Sequence, residues 1–189
     1  MADGSERHIE SPELILMAGY PGVGKSAIAV ELAGALRYPL FDIDDIRTEV
    51  DRGSGIDDWE HRGWLAYDIL KRAVARQTQI GVSVIVDTCL THQWLRDFMF
   101  GLGERHGATI HIVHCHCSDA VAIERNRKRL AENPEEYAGR DVANFRRMKG
   151  LFQPIDAIAS ISLDTERPVL ANVAGILRHL DATRRDGGS

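Results

Sequence analysis

No apolar run in this chain approaches the ~18 residues needed to span a bilayer, which excludes a transmembrane reading. The amino-terminal MADGSERHIESPE lacks the basic start and apolar stretch of a secretory signal. Cysteine is scarce: three residues cannot all pair within one chain, so a reducing cytoplasm is the expected setting. Internal repeats and low-complexity linkers are absent, and basic charge is not in excess. Against 28 Asp and Glu stand 23 Lys and Arg, a net −5 that argues against a general nucleic-acid or membrane-surface binder. What remains is 189 residues with 44% hydrophobic content, the size and composition of one globular domain with one core.

The charge is unevenly spread. Asp42 to Glu60 holds eight acids against Arg47 and Arg52, a net −6, whereas Arg125 to Lys149 holds eight bases against four acids, a net +4. Two solvated faces would explain such a split as well as two functional ones.

Apolar strands alternating with helical spacing predict an α/β domain with a mainly parallel sheet of five strands. The expected strands are Leu14 to Ala18, Pro39 to Ile43, Val82 to Val86, Thr109 to Cys115 and Ile158 to Leu163. Helices are expected from Lys25 to Leu36, Trp59 to Gln79, Gln93 to His106, Asp119 to Glu132 and Val169 to Leu180. The VSVIV run suits a strand covered on both faces. Residues 1–12 and 183–189 read as polar tails around a domain of residues 13–182, with a basic lid near residues 125–149.

The strongest motif is GYPGVGKS, Gly19 to Ser26, which fits G-x-x-x-x-G-K-S and lies between a strand and a helix. Gly19, Gly22 and Gly24 permit a tight backbone path, so that main-chain N–H groups from Gly22 through Val23 to Ala27 can face phosphate oxygens. Lys25 would reach the terminal phosphates of ATP, and the Ser26 hydroxyl would ligate Mg²⁺. An N-K-x-D guanine motif and a D-x-x-G switch are missing from suitable positions, which argues against a GTPase. A bare core also leaves no room for a motor apparatus, so a small phosphotransferase leads.

Alternation in FDIDDIR predicts Asp42 and Asp44 on one strand face, at the carboxyl end where open α/β sheets bind ligands. Transfer to an alcohol needs a carboxylate to orient the hydroxyl and take its proton; Asp44 suits that role, with Arg47 to anchor the acceptor. A plainer reading has Asp44 or Asp45 capping a helix. Asp87, ending the VSVIV strand, resembles an acid that holds Mg²⁺ through water, with Asp42 a second candidate; capping the next helix is the competing reading, and Thr88 could serve either. In ERNRKRL, Arg125 and Arg129 share a helix face and could close over ATP to neutralise the transferring group, unless they are only solvated. Trp59, Arg62, Trp64 and Tyr67 lie at helical spacing and could line an acceptor pocket or belong to the core. The run from Ile110 to Cys117 alternates His and Cys, but no second ligand pair completes a zinc site.

These motifs resemble the P-loop kinase group that includes polynucleotide kinase domains, chloramphenicol phosphotransferase, zeta-toxin kinases and gluconate and shikimate kinases. The likeness covers Leu14 to about Leu180. Asp44, Asp45, Ile46 and Arg47 match the D-D-x-R of polynucleotide 5′-kinases, and Asp44 also falls on the second acid of the shikimate kinase D-x-D. Asp87 to Leu90 and Arg125 to Arg129 look like the corresponding strand end and lid of the polynucleotide kinase module. The resemblance implies a P-loop kinase fold with an Arg-rich lid over ATP, and a loop from Asp164 to Pro168, including Arg167, near adenine. A −6 segment beside Asp44 disfavours a polyanionic acceptor, so the expected acceptor is a small neutral or cationic alcohol such as a nucleoside, sugar or antibiotic. A polynucleotide 5′-hydroxyl kinase, a simple ATPase and a non-catalytic nucleotide-binding module are the competing expectations, in a monomer or homodimer with no membrane partner.

Overall fold

The computed structural model describes residues 11–134, 142–152, 155, 158 and 160–186. The expected tail at residues 1–10, residues 187–189 and the middle of the expected lid, 135–141, lie outside the described residues.

Five parallel strands form one sheet: β1 (Glu13–Ala18), β2 (Leu40–Asp42), β3 (Val84–Asp87), β4 (Thr109–His116) and β5 (Ile161–Asp164), in the spatial order β2-β3-β1-β4-β5. Between them run α1 (Lys25–Leu36), α2 (Ile43–Gly53), α3 (Trp59–Gln79), α4 (Gln93–His106), α5 (Asp119–Glu132), α6 (Val142–Leu151) and α7 (Val169–Asp186). The period of two along β1 divides the core. Leu14, Leu16 and Ala18 pack with Leu70 and Val74 of α3 and Leu95, Met99 and Leu102 of α4. Ile15 and Met17 pack on the other face with Ile28 and Leu32 of α1 and Val173, Ile176 and Leu180 of α7. Both faces being covered, β1 and β3 read as unbroken apolar runs, and each such side chain withdrawn from water contributes about 2 kcal/mol. The central place of β1 puts the loop after it at the middle of the sheet's carboxyl edge, where β3 lies on one side and β4 on the other.

Two local expectations are corrected. β2 stops at Asp42 and α2 begins at Ile43, so Asp42 and Asp44 do not alternate along a strand. Asp42, rather than Asp44 or Asp45, caps α2: its Oδ1 accepts from the Asp44 N–H at 2.8 Å. A side chain that satisfies the first free N–H lets the chain turn from strand to helix without an intervening loop. The expected tail from residue 183 is also replaced by helix, because α7 continues to Asp186 and returns Arg184 to Glu13 at the start of β1.

Candidate active site

Gly19 to Gly24 wraps the amino end of α1. Gly22 has φ +86°, and a Cβ there would lie 2.5 Å from the Ala122 carbonyl oxygen and 2.6 Å from Asn126 Nδ2, so only glycine lets the loop and α5 approach this closely. Asn126 Nδ2 donates to the Pro21 carbonyl at 3.2 Å. Arg125 Nη1 donates to the Val23 carbonyl at 3.2 Å and its Nη2 to the Thr165 carbonyl at 2.9 Å, while the Thr165 hydroxyl also donates to Val23. Phosphate loop, α5 and the turn after β5 are thereby laced together.

Lys25 is buried, and its Nζ donates to the Tyr20 carbonyl at 3.1 Å. Burial opposes its charge, but the fields of Cys89, Asp87, Cys115 and Asp44 raise its pKa on balance, so the ammonium persists. Asp87 is buried beside it with both carboxylate oxygens unclosed by any hydrogen bond of ordinary geometry. Burial raises the Asp87 pKa against the opposing pull of Lys25 and the Ser26 hydroxyl. Asp87 does not cap the next helix: α4 begins at Gln93 with His92, five residues after Asp87, at its cap position, and the Thr88 hydroxyl accepts from the Leu90 N–H at 3.0 Å.

One cavity of about 490 Å³ joins this loop to the end of β2 and the start of α3. Gly22, Gly24, Lys25 and Ser26 of the loop line it together with Asp87 and Thr88 after β3 and with Asp42, Asp44 and Arg47 after β2. Asp44 and Arg47 pair at 3.5 Å, and the Arg47 guanidinium lies 5.0 Å from the centroid of the Tyr67 ring. Arg129 of α5 and Arg147 of α6 also line the cavity. Helix α6 is seated on the phosphate loop: Phe145 and Phe152 meet the Tyr20 ring edge-on at 6.1 and 5.1 Å, and Lys149 pairs with Asp119 at 2.6 Å.

Six expected site residues, Gly19, Val23, Ala27, Arg62, Arg125 and Arg167, lie outside the cavity lining. Arg125 does not line the cavity, because its guanidinium is spent on Val23 and Thr165. Arg62 is also outside the lining: its Nε donates to Asp51 and its Nη1 to the Ile56 and Asp57 carbonyls, which fastens the loop between α2 and α3. Arg167 is exposed and outside the lining, as is Ala27 in the first turn of α1, while Val23 is buried under the loop. Conversely, Asn126, Arg147, His92 and Trp94 line the cavity without having been singled out. Trp94 lies soon after β3, so the rule that ligands gather at strand carboxyl ends could have found it. Among the described residues no cluster of three His, Cys, Asp or Glu could hold a metal ion, and no helix is long and apolar enough to cross a membrane.

A phosphate loop after the central strand of a five-stranded parallel sheet, with acids at the carboxyl ends of β2 and β3, defines a P-loop kinase fold. The chain belongs to the AAA domain family AAA_33, which matches residues 14–155. It is 33% identical over 98 residues to the protein named probable gluconokinase of Rattus norvegicus and 31% identical to that of Mus musculus, covering 48% of this chain and 51% of each relative. The chain thus spans about half the length of the curated relatives it matches. Among solved structures, it is similar to a protein of Chloroflexus aurantiacus j-10-fl described provisionally as a kinase, with TM-score 0.75 and 24% identity over 90% of this chain and 99% of that one. A gluconokinase from Sinorhizobium meliloti 1021 matches with TM-score 0.65 and 18% identity over 93% and 95%.

Proposed function

We propose that the protein is an ATP- and Mg²⁺-dependent kinase that transfers a phosphoryl group to a hydroxyl of a small molecule. The supporting observation is the continuity of the cavity: phosphate loop and acid-bearing wall line one cavity, so donor and acceptor can be held together. A module that merely bound nucleotide would need only the first half.

The glycine loop would hold phosphate oxygens on its N–H groups, and Lys25, kept charged by its neighbours, would neutralise them. Mg²⁺ fits here, because Asp87 is a buried carboxylate with unclosed oxygens beside the Ser26 hydroxyl; those two residues, directly or through water, would hold it, with Asp42 adjacent. The ion supplies charge neutralisation on the phosphates when bound. Asp44 orients the acceptor hydroxyl and takes its proton, Arg47 steadies Asp44 and the acceptor, and Arg129 balances charge on the group in transit. Arg125 contributes by fixing the loop.

The acceptor end is lined by Asp42, Asp44 and Glu60 against Arg47, which favours a small neutral or cationic alcohol over a polynucleotide. With the three described cysteines free, a reducing cytoplasm suits the chain.

The test is ADP formation measured without acceptor and with gluconate, sugars, nucleosides, aryl alcohols and a 5′-hydroxyl oligonucleotide, with the product identified by mass. Stimulation by a small alcohol with a phosphorylated product supports the proposal. Stimulation by the oligonucleotide alone replaces the acceptor class, full turnover without any alcohol makes the protein an ATPase, and ATP binding with no turnover makes it a non-catalytic module.

A further inference from the structure

The chain has three tryptophans, Trp59, Trp64 and Trp94, and all of them line the cavity. Two keep much of their surface in water: Trp59 is 74% exposed and Trp64 49%. Tryptophan is ordinarily well buried, so two open rings at one cavity wall are informative where a lone exposed leucine would not be. Trp94 organises the wall. Its ring meets Tyr67 edge-on at 5.0 Å, lies tilted against Trp64 at 5.4 Å and stacks on His92 at 5.5 Å with 14° between planes. Residues 59, 60, 63, 64 and 67 fall on one side of α3 by helical spacing, and Gly63 adds no side chain to that side; a Cβ there would meet nothing within 4 Å.

Among the described residues, Lys25, Arg47, Arg129 and Arg147 are the Lys and Arg side chains that line the cavity, and Arg47 is already paired with Asp44 and laid over Tyr67. Arg62 is drawn away to Asp51 and two carbonyls. Lys71 stands over the Trp94 ring at 5.4 Å outside the cavity lining. An anionic polyol needs a cation for its carboxylate and a partner for each buried hydroxyl, and the tryptophan rings supply no cation and few hydrogen-bonding atoms. They supply ring surface, in one lining with the paired carboxylate of Asp44 and a second acid, Glu60.

We infer that the acceptor is an alcohol carrying a planar uncharged ring, a nucleoside or an aryl alcohol, seated against the exposed rings of Trp59 and Trp64. The word acceptor rests on the kinase reading above; the ring-binding wall does not. Stacking in an offset or edge-on manner gives such a ring both its affinity and its orientation, leaving the hydroxyl towards Asp44.

Because every tryptophan lies at this wall, intrinsic emission reports on it alone. The protein is saturated with ADP and Mg²⁺ to fill the nucleotide end, then titrated with uridine, adenosine, 2-phenylethanol, gluconate and glucose. Ring-bearing alcohols should change the emission with Kd at least about tenfold below gluconate and glucose, and Trp64→Ala should weaken them about tenfold while Trp64→Phe restores most of the loss. ADP affinity in the variants shows that the fold is kept. Whether uridine or 2-phenylethanol binds better separates the two sources of the ring. Equal or tighter binding of gluconate or glucose, no emission change with ring-bearing alcohols at millimolar concentration, or indifference to Trp64→Ala overturns the inference. Ring-dependent binding without phosphorylation would overturn the kinase reading and keep the ring site; phosphorylation of gluconate unaffected by Trp64→Ala would do the reverse.

Discussion

Asp42 and Asp87 stand opposite each other across the β2–β3 ladder, each the last residue of its strand, and both open into the cavity. Burial, then the neighbouring charge of Asp87, pushes the Asp42 carboxyl up to about 7. Asp42 therefore titrates near neutral pH, while at Asp87 the charge of Lys25 opposes the rise that burial imposes.

That pair predicts a pH-dependent gain from Asp42→Asn. An acid whose pKa is higher folded than unfolded costs stability as pH rises from about 4 through about 7, because the unfolded chain releases the proton more readily. Asparagine keeps an oxygen to accept the Asp44 N–H and so preserves the cap of α2. The variant should melt near the wild-type temperature at about pH 4 and above it at about pH 8. Thermal unfolding followed by circular dichroism across this range decides it, and a constant difference at all pH values would refute the assignment.

The two arginines one helical turn apart on α5 should fail differently. Arg125→Ala removes hydrogen bonds to Val23 and Thr165, and should lower stability by about 1–3 kcal/mol and weaken ATP binding through the loosened loop. Arg129 faces the cavity, so Arg129→Ala should leave the melting temperature close to wild type and lower kcat. Melting curves, ATP titration and turnover measured on both variants separate the roles; identical behaviour would contradict them.

The contrast shows what spacing can and cannot carry. The phosphate loop was legible because its chemistry is contiguous: three glycines, a lysine and a serine are placed by the backbone of one turn. Parallel strands were legible because burial on both faces removes polar residues from them. Arg62 and Arg125 were assigned to ligands because a guanidinium's charge is visible in sequence, whereas the carbonyls that satisfy it belong to a turn and to a loop some 100 residues earlier. The boundary at Asp42 was missed because a cap lets strand run directly into helix, and the His92–Trp94 stack on the α3 rings is a contact between elements that no local pattern encodes.

Gly22→Ala tests whether the loop's shape is imposed by its contact with α5. The new methyl would press on the Ala122 carbonyl, which belongs to the helix backbone and cannot give, at a φ of +86° that alanine rarely adopts. ATP affinity should fall by at least about tenfold together with the melting temperature. Gly34→Ala in α1 is the control: a Cβ there meets nothing, and the exchange should stabilise the helix by about 0.5–1 kcal/mol. ATP binding by the Gly22 variant at wild-type strength would remove the steric argument.

The far end of the sheet makes the last prediction. Glu13 begins β1 almost fully buried, and Arg184 grips its two oxygens at 2.9 and 2.6 Å while Tyr38 donates a third hydrogen bond at 2.8 Å. Burial alone would raise this carboxyl, yet His111, Arg184 and Tyr38 together lower it to about 2. A carboxylate held below its unfolded pKa stabilises the fold above about pH 4.5, and that contribution is lost as pH falls towards about 2. Arg184→Leu should therefore destabilise the protein by about 2 kcal/mol at neutral pH, and the gap should close under acid, where Glu13 is protonated in both states. A chain ending at residue 182, which removes Arg184 with the last turn of α7, should show the same closing gap. If urea midpoints of either variant differ from wild type equally at about pH 7 and about pH 3, the helix end contributes through packing and the Glu13 clamp is not its source.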